Sequence, residues 1–261
     1  MRLHAMIQKS LVAKDQGVSE TVGFIIIFGI VLTGIGLVSL YGYPLLLQQQ
    51  SEANIQNMEK SLIVLQTDIN SLVYKNVPYQ ETAIQVSEGT LSVIRPDAGY
   101  DKYFNISQGS TIFIDNFKTG ELRYTSSREN VVIGLQNGGV VKWQVGGSAM
   151  LAAPRWFYDK STGTLVITLV QIYSDSPMVQ TGIGMVRMKV SEITPSIPPQ
   201  NFAPPATIEI KYTDQTGDYL TAWRNYLREF DPSMTAGPVS AKVNDVNTLI
   251  IRQYNVTILG L

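Results

Sequence analysis

Hydrophobic and polar positions change their period twice along this chain, and each change marks a different kind of element. Between Glu20 and Glu52 no Asp, Glu, Lys, Arg or His occurs, and residues 22–41 are apolar apart from glycine, serine and threonine. A bilayer core of about 30 Å takes about 20 such residues in a helix, so residues 18–47 are predicted to form a transmembrane helix. Residues 48–75 are polar overall but carry Ile55, Met58, Leu62, Leu65, Ile69 and Leu72 at alternating spacings of three and four. That stripe predicts an amphipathic helix. Its apolar edge either covers the protein's own sheet, the reading preferred here, or packs on neighbouring helices.

After Pro78 the period falls to two, in short β-rich runs. Residues 82–86, 90–95, 111–115, 121–126, 131–135, 140–145, 155–158, 165–172 and 185–190 read as strands. Asn137-Gly138 is a strong tight-hairpin signal, Ser87-Glu88-Gly89 and Lys118-Thr119-Gly120 are weaker ones, and residues 159–163 make a further hairpin loop. Pro195, Pro198, Pro199, Pro204 and Pro205 mark residues 195–205 as an extended linker, since proline cannot pair in a central strand. The segment 206–261 is expected to contain a strand at 207–212, a helix at 218–230 with Leu220, Trp223, Leu227 and Phe230 on one face, and a strand at 249–259. It is small for independent stability and should fold back onto the β domain of residues 78–194. The fold class is therefore α+β: a long N-terminal transmembrane and extended helix, then a mainly antiparallel β sandwich or barrel with one C-terminal helix.

Charge sets the expected orientation. Arg2, Lys9 and Lys14 stand ahead of the apolar run against Asp15 alone, so the tail is expected to stay cytoplasmic and the chain beyond residue 47 to lie outside. A cleavable secretory signal has a shorter apolar region, of about 7 to 15 residues, and here Leu45, Leu46 and Leu47 prolong the run. Pro44 predicts a kink near the outer interface, beside Tyr41 and Tyr43.

The run Lys14-Asp15-Gln16-Gly17-Val18-Ser19-Glu20-Thr21-Val22-Gly23 resembles the processing region of archaeal type IV pilin-like precursors, the class III signal peptides. The downstream pattern is similar to an uncharacterised subgroup with larger domains. The resemblance implies that a prepilin-type peptidase cuts between Gly17 and Val18, removing a cytoplasmic leader of residues 1–17. Many archaeal relatives place proline after the Val-Ser pair, where this chain has Glu20, and bacterial pilins place their glutamate at the fifth mature position. Glu20 would be third, yet it is the residue the resemblance offers for assembly. The alternative is an uncleaved signal anchor. Within the helix, Gly29, Thr33 and Gly36 form a narrow seam on one face, either a close-packing surface for other pilin-like subunits or the ordinary glycine content of membrane helices.

The remaining chemistry is mostly exclusion. With 20 Lys and Arg against 21 Asp and Glu, and no basic cluster, a nucleic-acid partner is not expected. The chain has no cysteine, and its single histidine is His4 in the leader, which removes thiolate and imidazole chemistry from the outer domain. No phosphate loop or dinucleotide fingerprint is present. Asp97 with Asp101, and Asp214 with Asp218, flank turns and either hold a calcium ion or are solvated turn residues, the second being preferred. No metal, cofactor or catalytic residue is assigned. Asn105-Ile106-Ser107 and Asn255-Val256-Thr257 are glycosylation acceptor patterns, and Trp143, Trp156 and Trp223 suit a core or a ligand platform.

Together these features lead to the expectation of a structural, pilin-like cell-surface protein, anchored in the cell membrane or incorporated into a type IV pilus-like filament. The alternative is a single-pass membrane-anchored extracellular binding or adhesion module that does not polymerise. An enzyme working through carboxylates alone has no paired-acid signature in its favour.

Overall fold

A computed structural model describes residues 16–75, 77–97, 99–193 and 196–261, with side chains from Glu20 onward. Residues 1–15 of the expected leader, His4 among them, and Pro195 of the expected linker lie outside the described residues. The chain divides into two compact units, the second being Ala53–Leu261.

The first unit is helical. Helix α1 spans Gln16–Leu37, a π-helical turn covers Val38–Gly42, and helix α2 begins at Tyr43 and runs to Lys75 in the second unit. A helix satisfies every backbone group within its own segment, the condition lipid imposes. Pro44 has no amide hydrogen to donate to the turn before it. Ahead of it the ladder widens, the Tyr43 amide bonding the Val38 carbonyl five residues back, so the irregularity expected at Pro44 takes the form of a π-turn.

In the second unit, the part of α2 beyond Ala53 lies on a twelve-stranded sheet. In chain order the strands are β1 (Tyr79–Ile94), β2 (Lys102–Gln108), β3 (Thr111–Lys118), β4 (Glu121–Thr125), β5 (Val131–Gln136), β6 (Gly139–Gln144), β7 (Gly147–Ala152), β8 (Phe157–Asp159), β9 (Thr164–Tyr173), β10 (Met178–Glu192), β11 (Gln200–Asp214) and β12 (Val239–Gly260), with helix α3 (Leu220–Leu227) before the last. The ladder runs β3-β2-β11-β12-β10-β1-β4-β5-β6-β7, and β9 joins β12 while also pairing β8. Every pairing is antiparallel except β9 with β12.

Strand β12 is the spine. Thr248 and Leu249 pair both β11 and β9, while residues 254–257 pair both β10 and β9. Strands β11 and β10 therefore follow each other along one edge of β12, and β9 holds the opposite edge. Side chains alternate across β9: Leu165, Ile167 and Leu169 enter one apolar core, Val170 and Ile172 the other. In the first core, α3 inserts Trp223 against Phe104 (ring centroids 4.8 Å apart), Tyr212 (5.2 Å) and Trp156 (6.0 Å). Trp156 and Trp223 are thus core residues, and Trp143, partly buried, packs against the same core.

The second core is closed by α2. Ile55, Met58, Leu62, Leu65, Ile69 and Leu72 are all buried there, against Ile84, Leu91, Ile133, Val186 and Met188 among others. The stripe therefore covers the protein's own sheet. Polar contacts fix the register: the Gln66 amide donates to the carbonyls of Gly138 and Ala153, both at 2.8 Å, and Lys142 meets Glu59 at 2.8 Å.

Several sequence expectations change. Asn137-Gly138 does make the β5–β6 hairpin, with both residues at positive φ (47° and 71°), as a type I′ turn requires. Ser87-Glu88-Gly89 is a bulge inside one long β1. The register passes from Val86 opposite Gly182 to Leu91 opposite Gln180, and a Cβ on Gly89 would lie 2.2 Å from the Thr125 carbonyl oxygen. Lys118-Thr119-Gly120 is a crossover, because β3 pairs β2 whereas β4 pairs β1 and β5. Strands β2 and β7 lie outside the expected strand set, and the linker shrinks because β11 already begins at Gln200. Pro204 and Pro205 sit where the pairing with β12 breaks between Asn201 and Ala206, so their missing donors cost no ladder bond. The segment 206–261 is not packed on the β domain but supplies its central strands.

Leu65 is fully buried, and Leu65→Ala is expected to cost about 2 to 5 kcal/mol. Thermal melting of residues 50–261 should show the lowered midpoint at every protein concentration, as intramolecular packing requires.

Candidate functional site

The most distinctive surface is the apolar flank of the first unit. Phe24 is 68% exposed, Ile30 67% and Leu40 71%, and their neighbours are similarly bare. Exposed apolar patches of this extent mark a site of interaction, and this helix is a candidate single membrane span by length and composition. The backbone of Gly17 and Val18 lies in the first turn of α1, and Glu20 is exposed. In the seam, the Thr33 hydroxyl donates to the Gly29 carbonyl at 2.8 Å, so it is satisfied within its own helix. A Cβ built on Gly29 or Gly36 would meet nothing within 4 Å.

Within the second unit Asn255 falls in a strand as expected at 249–259, whereas Asn105 falls in β2, a strand outside the expected set. Both glycosylation patterns lie in strands. Asn105 is in β2, where its side-chain oxygen accepts from the Asn116 backbone N–H at 3.0 Å. Asn255 is paired on both edges, with its side-chain oxygen buried. A loop, the usual setting of such an acceptor, holds neither. Asp97 pairs with Arg95 at 3.4 Å, apart from Asp101, which lies 3.6 Å from Lys102.

Asp214 and Asp218 do come together, around a lysine. Lys102, the cross-strand partner of Asp214, has its side chain 1% exposed. Its Nζ lies 3.6 Å from Asp214 and 3.9 Å from Asp218 and donates to the Thr216 hydroxyl at 3.1 Å. The Tyr219 ring lies beneath the same ammonium, with its centroid at 5.2 Å. Asp214 also accepts backbone N–H bonds from Thr216, Gly217 and Tyr219, at 3.1, 3.1 and 2.9 Å. Its carboxylate therefore shapes the turn that launches α3. The position a calcium ion would take is held by the chain's own ammonium, and among the described residues no group of three His, Cys, Asp or Glu is arranged to hold a metal.

A second buried acid extends this cluster. Glu121 at the start of β4 is fully buried beside Arg123. Burial raises its carboxyl above the ordinary value of 4.5, against the opposing pull of Arg123 and Lys102. The phenols of Tyr100, Tyr212 and Tyr219 are pushed well above their usual range, chiefly by the same desolvation. Tyr100 donates to Gln136 at 2.9 Å, and the Gln136 amide donates to Tyr212 at 3.2 Å. Lys102, Asp214 and Glu121 are sealed from solvent, so the arrangement ties β2, β4, β5, β11 and α3 together. Sequence reasoning passed over Lys102 and Glu121 as site residues. The signal was present for Lys102: residues 102, 104 and 106 alternate inward with Phe104 and Ile106, once β2 is read as a strand.

A model of a protein family described as a family of unknown function (DUF7289) matches residues 16–258. No curated protein and no solved structure matches the chain.

The raised Glu121 carboxyl has a pH consequence. In the window above 4.5 the folded state binds the proton more readily than the unfolded chain, so its contribution to stability falls as pH rises through that window. Glu121→Gln is expected to flatten this part of the pH–stability curve, measured by urea unfolding between about pH 4.5 and 8. An identical slope in parent and variant would show that Glu121 does not carry it.

Proposed function

This chain belongs to the family of unknown function DUF7289, and we propose that it is a structural, pilin-like protein of the cell surface. In this reading α1 and the start of α2 anchor it in the cell membrane, a prepilin-type peptidase removes the leader between Gly17 and Val18, and the second unit is displayed outside. The mature chain is either retained in the bilayer or incorporated into a type IV pilus-like filament. The observation that carries the reading is the bare apolar flank of residues 22–46. Each side chain there has a bilayer or another subunit's helix as its natural solvent. The order of basic leader, Gly17, Val18 and apolar run supports the processing step.

One observation favours the second reading, an anchored binding or adhesion module that does not polymerise. The apolar stripe of α2 is consumed by its own sheet, so its helix offers no second stripe for neighbours beyond Ala53. Contacts between copies in a filament would then fall chiefly on Glu20, the Gly29-Thr33-Gly36 seam and the apolar flank itself.

The processing step is tested on native protein: the mature N-terminus should be Val18, and Gly17→Trp should leave the precursor uncut. A native chain with its leader intact would establish the anchor instead. Protease added to whole cells should remove the second unit, and digestion only after lysis would reverse the orientation. Recovery of the mature chain in sheared surface filaments separates the filament subunit from the module that stays in the membrane.

A further inference from the structure

The second unit carries an open cleft of about 530 Å³, separate from the sealed Lys102 cluster, between the ends of β3 and β9, Gln253 within β12 and the segments that follow β1 and β10. Its volume is within the range of about 300 to 1,000 Å³ typical of small-molecule sites. Tyr173 and Phe117 supply half-buried rings, and Asp97, Lys118 and Gln253 supply polar ends. Among the described residues, the Tyr173 hydroxyl, the Lys118 ammonium and the Gln253 amide make no hydrogen bond, although each lines the cleft. The Gln171 amide, by contrast, is fixed on the Lys118 carbonyl at 2.8 Å and braces the wall.

We infer that this cleft binds a neutral saccharide. A sugar ring has an apolar face that packs on an aromatic ring and a rim of hydroxyls that both donate and accept. The cleft offers that combination: rings for the face, an amide that donates and accepts, a carboxylate that accepts and an ammonium that donates. Asp97 is already paired with Arg95 at 3.4 Å, and Lys118 stands against Asp115, so the site carries no net charge, which suits a neutral ligand rather than an acidic sugar or free phosphate. The shallow, open shape leaves room for a longer chain to continue past the bound unit. An extended peptide, the competing class, would seek an unpaired strand edge for its backbone. At Gln253 there is none, since β12 is paired there with β9 and its carbonyl accepts the Ile193 amide; β3, the outer strand of the ladder, keeps one free edge, so the peptide is tested directly.

The test uses the full chain in lipid nanodiscs free of glycoside detergent. Saturation-transfer NMR is recorded against five neutral disaccharides (maltose, cellobiose, lactose, chitobiose and mannobiose), with tetraglycine as the peptide probe. At least one disaccharide should receive saturation and saturate at about millimolar concentration. Gln253→Ala and Tyr173→Ala should each weaken it by about tenfold or more, without shifting the melting midpoint by more than a few degrees. Asp97→Asn, on an exposed loop, gives a variant that leaves the strands untouched and should weaken the same sugar. Silence from all five sugars, transfer that survives all three substitutions, or transfer to tetraglycine alone would each overturn the assignment.

Discussion

Strand β12 is the element on which the second unit depends. A strand has two edges, and β12 uses both along much of its length, holding β9 on one side and β11 followed by β10 on the other. Both apolar cores take side chains from it, Val239 to Ile251 feeding one and Val256 and Ile258 the other. Loss of its pairing would separate the β2–β3 end of the sheet from the β1–β4–β5 end and open both cores at once. The α2 stripe and the α3 aromatics close those cores, but they close surfaces that β12 has first brought together.

How legible this was in the sequence follows from which signals are local. The N-terminal apolar helix was readable because an uncharged run of that length is the hallmark of a segment that fits a bilayer. The α2 stripe was readable because its period of three and four repeats through residues 55–72, and even its use against the protein's own sheet could be preferred from amphipathicity. The Asn137-Gly138 turn carries its signal in two residues. Ser87-Glu88-Gly89 looks the same locally and behaves differently, since whether glycine at positive φ makes a turn or a bulge depends on the partner strand. The proline-rich segment misled for a related reason: Pro204 and Pro205 are tolerated inside β11 because the ladder to β12 is already interrupted there.

The buried charges were the least legible feature. Lys102, Glu121 and Asp214 are ordinary surface residues by composition, and only their meeting from β2, β4 and β11 makes them a cluster. Burying an ion costs several kcal/mol unless its partners are well placed. Here Lys102 has three carboxylates within 4 Å, and Asp214 has three backbone donors. Such an arrangement fixes which strand edges meet, because a pairing shifted by one residue would turn Lys102 outward and leave the acids without their counter-charge.

The order of elements along the chain places β12 after every strand it pairs with. In the proposed topology, a chain made from its N-terminus commits α1 to the membrane early, while the β2–β3–β11 group, the β10–β1–β4–β5–β6–β7 group and the β8–β9 pair wait for the strand that joins them. The sheet is therefore assembled across long sequence separations, which makes folding slow and exposes unpaired edges in the interval. Whatever carries such a chain to the far side of a bilayer must deliver residues 239–260 before the sheet can close. Until then the edges of β9, β10 and β11 that β12 will cover stand open.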